Sequence, residues 1–308
     1  MSPDSLMASR FVGSLLGVAL GDAIGELAFQ HKDEAGLRAE ITQQPTLIYT
    51  DDTAMTIGLA ESLIAQEHIE PRHLGDTFRA HYKREPWRGY ASGPPTIFTL
   101  VERRGGTYTD IAQALFEGQG SYGNGAAMRV APVGLYFHAA SDLYEQARRS
   151  AIVTHAHPIG IDGAAVLAKA IALALTLDSA TELLQDAFIR KLLDFAQTPE
   201  MQEKLSLMEK LLAQNVAPMF AGMGLGQGIA AHESVPFAIY AFLRYPHSFE
   251  QCLFCAALNS GDRDTVAAMA GAISGAYLGS EIIPSTWRGK LENLITIEDL
   301  ALKLYTKR

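Results

Sequence analysis

Two short acidic runs, far apart in the chain, contain the residues best suited to chemistry: Tyr49-Thr50-Asp51-Asp52-Thr53 and Gly261-Asp262-Arg263-Asp264-Thr265. Each stands directly before a stretch with helical spacing, Met55, Ile57, Leu59, Leu63 and Ile64 after the first and residues 266–278 after the second. The ordinary role of such runs is helix capping, because Asp and Thr oxygens accept from free N–H groups and carboxylates suit the positive end of the helix dipole. Capping needs fewer carboxylates than these runs hold. Asp51, Asp52, Asp262 and Asp264 carry four formal negative charges, which two divalent cations would balance, and Thr50 and Thr265 add neutral oxygen donors. Hard oxygen ligands suit magnesium or manganese. Two such ions about 3.5–4 Å apart can clamp a substrate and activate water, so hydrolysis is the expected reaction class if the runs converge.

Between them lies Gly118-Gln119-Gly120-Ser121-Tyr122-Gly123-Asn124-Gly125. Alternating glycines leave backbone N–H groups accessible, as in phosphate-cradling loops, although a surface turn uses the same residues. The acidic runs tip the balance toward a diphosphate loop. The run 222–228 is also rich in glycine, but no strand precedes it and no βαβ unit surrounds it, which excludes a dinucleotide-binding fold. His155 and His157 stand in an expected loop within reach of a ligand, and their spacing alone makes no metal site. Cys252 and Cys255 lack a second ligand pair for zinc and read as two buried thiols one helical turn apart, in keeping with a reducing cytoplasm.

The elements that must position these groups are helices. Helical periodicity predicts them over 9–24, 53–66, 71–83, 110–116, 142–153, 161–177, 180–196, 201–214, 235–245, 248–258 and 265–278, and alternating β-type runs are scarce. The fold class is all-α. Small residues recur at Gly13, Gly17, Gly21 and Gly25 and again at Ala267, Ala268, Gly271, Gly275 and Gly279. Glycine inside a helix costs about 1 kcal/mol against alanine, so its repetition implies close backbone approach. With neither a flexible linker nor a fixed repeat, residues 1–308 are expected to form a single domain.

A length of 308 residues with 48% apolar content supports a sizeable core. The formal charge of −9 argues against nonspecific nucleic-acid binding. The polar N-terminal stretch does not resemble a secretory signal, and the apolar run 164–177 falls short of a bilayer span, so a cytoplasmic monomer without membrane contact is expected.

Taken together, Gly17 to Gly25, Tyr49 to Thr53, Gly120 to Arg129 and Gly261 to Gly275 resemble the ADP-ribosylglycohydrolase family over nearly the whole chain. The segments Ser121 to Gly125 and Gly228 to Pro236 bring it nearest the ADP-ribosylserine hydrolase branch. The resemblance implies a compact orthogonal multi-helix bundle around a binuclear magnesium centre, with manganese as the other candidate. It makes Thr50, Asp51, Asp52, Asp262, Asp264 and Thr265 metal ligands and Asp22 a supporting acid. Gly120, Ser121, Tyr122, Gly123, Asn124, Gly125 and His155 would hold the diphosphate and ribose, with Phe116 and Ile229 flanking the ligand and Tyr122 stacking on it. The implied partner is an ADP-ribosylated protein or other ADP-ribose conjugate, cleaved at a serine-type O-linkage. An arginine N-glycosidic substrate is the alternative within the family, and an ADP-ribose-binding module without turnover the alternative outside enzymes.

Two positions depart from the family pattern. Phe29 occupies the place where a glutamate commonly reaches the scissile bond, and Arg263 puts a cation inside the second acidic run. Glu26 is the expected replacement acid and, with Asp264, the expected catalytic pair, while Arg263 would grip a phosphate or pair with a surface acid.

Overall fold

Glycine spacing on two distant segments determines what stands at the centre. In this computed structural model, which describes residues 3–308, the chain forms α1 (Pro3–Ala28), α2 (Glu34–Gln43), α3 (Asp51–Gln66), α4 (Pro71–Arg84), α5 (Gly93–Arg104) and α6 (Tyr108–Gly118). It continues through α7 (Ala131–Tyr136), α8 (Leu143–Ala151), α9 (Pro158–Thr176), α10 (Gln185–Leu193), α11 (Pro199–Ala213) and α12 (Pro218–Leu225). The last elements are α13 (Ala231–Arg244), α14 (Phe249–Asn259), α15 (Arg263–Leu278), α16 (Ser285–Arg288) and α17 (Leu294–Lys307). Among the described residues there is no β-strand, which bears out the all-α expectation.

Helices α1 and α15 run antiparallel through the core, glycine against glycine. A Cβ on Gly17 would fall 2.0 Å from the Gly271 carbonyl oxygen, and one on Gly275 would fall 2.0 Å from that of Gly13. Gly21 meets Ala267 and Gly25 meets Asp264 in the same register. Bulkier residues would force the helices apart. This contact therefore joins the end of α1, which carries Asp22, to the start of α15, which carries the second acidic run. Helices α9, α13 and α14 pack on α15, and α3 and α17 pack on α1.

Several elements depart from the sequence expectation. The first helix extends to Ala28, and α2, α5, α7, α12, α16 and α17 were not anticipated. Helix α5 opens on Gly93-Pro94-Pro95, which the first helical turn accepts because its N–H groups have no intrahelical partner. Helices α1 over Asp4–Ala28 and α9 are long and apolar enough to cross a membrane, but most of each is buried within the bundle. Cys252 and Cys255 are buried on α14, where burial raises both thiols and pushes Cys255 up to about 12.

Candidate active site

Asp22, fully buried on α1, builds the entrance of the first acidic run. Its carboxylate accepts from the Thr50 N–H at 2.9 and 3.0 Å and hydroxyl at 2.8 Å, and from the Thr53 N–H at 3.0 Å and hydroxyl at 2.6 Å. The cap of α3 therefore comes from another helix, and Thr50 itself makes no side-chain cap. Nor does Asp262 at the start of α15. The simplest local explanation for both runs, that each caps its own helix, is not what their side chains do at these N-cap positions.

The runs instead meet each other. Asp52 Oδ2 lies 3.4 Å from both the Thr50 and the Thr265 hydroxyls, linking α3 to α15, while Asp262 accepts from Asn124 Nδ2 at 2.6 Å. Burial, and then neighbouring acids, push Asp51 up to about 7 and Asp52 well above its usual range. Burial raises Asp22 and Asp262 to about 6 despite the hydrogen bonds each receives. Such shifts indicate a basin short of positive charge.

Two buried oxygens, Oδ1 of Asp52 and Oδ1 of Asp264, have no hydrogen-bond partner among the described residues. Orphaned buried carboxylate oxygens are costly unless paired or bound to a metal. The donor set fits hard divalent cations, with carboxylates and threonine hydroxyls and no sulfur. Among the described residues, no three His, Cys, Asp or Glu side chains already close around a single point. The acids thus surround a basin rather than a finished cage, as expected for mutually repelling carboxylates. The orphaned oxygens carry more weight here, because a wider spacing can contract around a cation whereas an unpaired buried oxygen requires a partner.

The glycine-rich loop roofs a cavity of about 350 Å³ lined by Phe116, Ser121, Gly123, Asn124, Gly125, His155 and Ile229, with Asp51, Asp262, Asp264 and Thr265 at its floor. Backbone pairing holds the loop: Asn124 N–H donates to Ile229 O at 2.9 Å and Ala231 N–H to Tyr122 O at 3.0 Å. Gly125 is needed for close approach, since a Cβ there would lie 2.7 Å from His155 Cε1. Phe116 sits at φ 52° and ψ 55°, a left-handed conformation uncommon for a bulky residue, and is exposed at the rim. Burial, followed by the Arg129 charge, lowers His155 to about 3, so its ring is neutral at ordinary pH.

Gly120 and Tyr122 are not among the cavity-lining residues. Gly120, at φ +73°, lets the chain pass His157, and the exposed Tyr122 ring meets His157 edge-on at 5.8 Å. The expected stacking role of Tyr122 therefore has no support from its position.

A second cavity, of about 390 Å³, adjoins the first and is lined by Glu26, Thr50, Asp51, Trp87 and Asp264 among others. Burial and the nearby Asp264 raise the Glu26 carboxyl. Phe29 is half-exposed and lines neither cavity. Arg263 corrects another expectation: its guanidinium donates to the Ala28 and His31 carbonyls, the latter at 2.8 Å, and closes the end of α1. Free carbonyls at a helix C-terminus suit a cation. Both of these bonds run to backbone carbonyls, and no ion pair of Arg263 with a surface acid is seen among the described residues.

Sequence reasoning did not single out Arg129. It is completely buried beneath the loop, donates to Gly125 O at 2.6 Å and to the Thr154 hydroxyl at 2.8 Å, and is lowered by burial to about 9. Thr154 pairs in turn with His155 Nδ1 at 2.7 Å. The available signal was a lone charge inside the apolar run Ala126 to Val130, which has to find buried partners.

The profile of the ADP-ribosylglycohydrolase family matches residues 2–308. ADP-ribosylhydrolase ARH3 of Mus musculus is 36% identical, with 96% of this chain and 91% of that protein covered. The protein of the same name from Homo sapiens is 36% identical, covering 96% of this chain and 93% of its own length. An uncharacterized protein of Archaeoglobus fulgidus is 29% identical over 97% of each chain. A solved structure titled ADP-ribosylglycohydrolase-related protein complex superposes with a TM-score of 0.73 over 98% of this chain and 99% of the other, at 24% identity, a likeness of fold.

Proposed function

The chain belongs to the ADP-ribosylglycohydrolase family, whose members are hydrolases, and from that premise we propose that it releases ADP-ribose from a serine-type O-linked acceptor with two divalent cations, magnesium foremost and manganese second. The observation that carries the cation assignment is the pair of orphaned buried oxygens on Asp52 and Asp264. Thr50, Asp51, Asp52, Asp262, Asp264 and Thr265 would hold the ions, and Asp22 would fix Thr50 for that role through its hydrogen bonds. When bound, the cations supply charge neutralisation and Lewis-acid polarisation in the basin.

The remaining work falls to the chain. Ser121, Gly123, Asn124 and Gly125 line the cavity that would receive the diphosphate, and Arg129 braces that loop through Gly125 O. Neutral His155 offers hydrogen bonding to ribose without adding charge. Departure of the acceptor oxygen, with a proton delivered to it, leaves an oxocarbenium-like ribose, and a water adds to the anomeric carbon with loss of its proton to give free ADP-ribose. Glu26 is the residue for this proton delivery, because it lines the cavity beyond the acids, where burial and then Asp264 raise its carboxyl. Phe29 has no proton to give.

The acceptor class rests on the identity of about one-third to relatives named ADP-ribosylhydrolase ARH3. Its test is parallel incubation with ADP-ribosylserine and ADP-ribosylarginine peptides, with magnesium and with chelator, reading free ADP-ribose. Magnesium-dependent release from serine is expected. Selective release from arginine reassigns the linkage, and ligand binding without release from either peptide reduces the protein to a binding module.

A further inference from the structure

Beyond the acidic basin the surface continues as a trough. The cavity beneath the loop and the one beside Glu26 share Asp51, Gly89 and Asp264. The latter shares Tyr49 and Trp87 with a third cavity of about 430 Å³, which ends at Glu61 and His81. Each of the two outer cavities, about 390 and 430 Å³, exceeds the 350 Å³ beneath the loop, more room than a lone serine needs.

We propose that this trough is an acceptor track, and that the substrate is an extended polypeptide whose residues flanking the modified side chain cross Trp87. The inference rests on the hydrolase reading above. If ADP-ribose fills the cavity beneath the loop, the departing acceptor leaves across Asp51 and Asp264 into the cavity of Glu26, and its backbone continues past Trp87.

Trp87 is built for contact. Its ring is 71% exposed, and Ile48 beside the same cavity is 60% exposed. An exposed tryptophan on a mobile loop would mean little, but this turn is clamped from beneath. Arg88 is buried and donates to Tyr49 O at 2.9 Å, to both oxygens of Glu292 at 2.7 and 2.9 Å, and to Glu85 at 2.9 Å, with its guanidinium 4.2 Å from the Tyr49 ring centroid. The fold thus anchors the turn from within through Arg88 while leaving the large aromatic face of Trp87 to solvent. Rigid aromatics give contact area at low entropic cost and dominate recognition surfaces. The far end is polar, where Glu61 pairs with His81 at 2.7 Å.

The test compares full-length wild type with Trp87→Ala and Trp87→Phe on two substrates, an ADP-ribosylserine peptide with several residues on each side and a single N-acetyl-ADP-ribosylserine amide. Calorimetric binding of free ADP-ribose serves as a control for the fold and the nucleotide site. Trp87→Ala should raise KM for the peptide by about tenfold, leave kcat and the single-residue substrate unchanged, and preserve ADP-ribose affinity. Trp87→Phe should restore most of the loss. Equal effects on both substrates, or none on either, would overturn the track. Wild type that cleaves the single-residue conjugate as well as the peptide also overturns it while leaving the hydrolase reading intact, whereas cleavage of neither removes both.

Discussion

Two buried aspartates do the same structural work at two helix entrances. Asp22 on α1 receives the N–H and hydroxyl groups of Thr50 and Thr53 at the entrance of α3, and Asp162 on α9 receives the N–H groups of Gln197 and Thr198 and the Thr198 hydroxyl at the entrance of α11. Both are completely buried. Around Asp162 the arrangement ends there, with Tyr144 adding a further donor at 3.2 Å. Around Asp22 four more carboxylates gather, and Asp52 and Asp264 each keep an unpartnered buried oxygen. A cross-helix cap explains one aspartate at each place and none of the surplus, and the surplus marks the site.

Substitution can break this comparison first at its structural member. Asp162→Ala strands several buried donors, so it should cost about 3–5 kcal/mol in denaturant unfolding while the folded fraction keeps its turnover per molecule. Asp264→Asn should do the reverse. It removes repulsion from the basin, so chelated protein should be no less stable than wild type, whereas magnesium-supported ADP-ribose release should fall by about 100-fold or more. Equal stability losses from the two variants would erase the distinction.

Acidity sharpens the contrast. Without cations, burial and neighbouring acids push Asp51 up to about 7, against about 4 in an unfolded chain, and Asp52 is also raised. The folded state then holds more protons than the unfolded state between those values, so the acids make stability fall as pH rises through that range. His155, lowered to about 3 from 6.5, contributes the opposite slope below pH 6.5. The informative window is therefore from about pH 6.5 up through about pH 7, above the His155 contribution, where Tm in chelator should decline and magnesium should flatten the decline. A smaller effect is expected at Glu26, where Glu26→Gln should lower kcat about tenfold with ADP-ribose affinity unchanged; full turnover would dismiss it as the proton donor.

The central contact was legible because its glycines repeat every four residues on both partners, from Gly13 to Gly25 and from Gly271 to Gly279. Convergence of the acidic runs was legible as a requirement of charge, but its geometry depends on α1 meeting α15. The use of Arg263 was not legible, since nothing local to the acidic run shows that the end of α1 lies beside it. Helix α17 was hidden by Ile295, Thr296 and Ile297 at its start, whose branched side chains weaken helix propensity until packing of Leu300, Ala301 and Leu304 compensates. Trp87 carries no motif at all, and its meaning comes from Arg88 beneath it and the cavities on either side.

The most direct measurement is the melting temperature of wild type, Asp264→Asn and Asp52→Asn as magnesium is titrated into chelated protein. A cation that binds only the folded basin should raise the wild-type Tm progressively with concentration and leave the two variants nearly unmoved. A wild-type Tm indifferent to both magnesium and manganese would contradict the assignment of these acids to a metal centre.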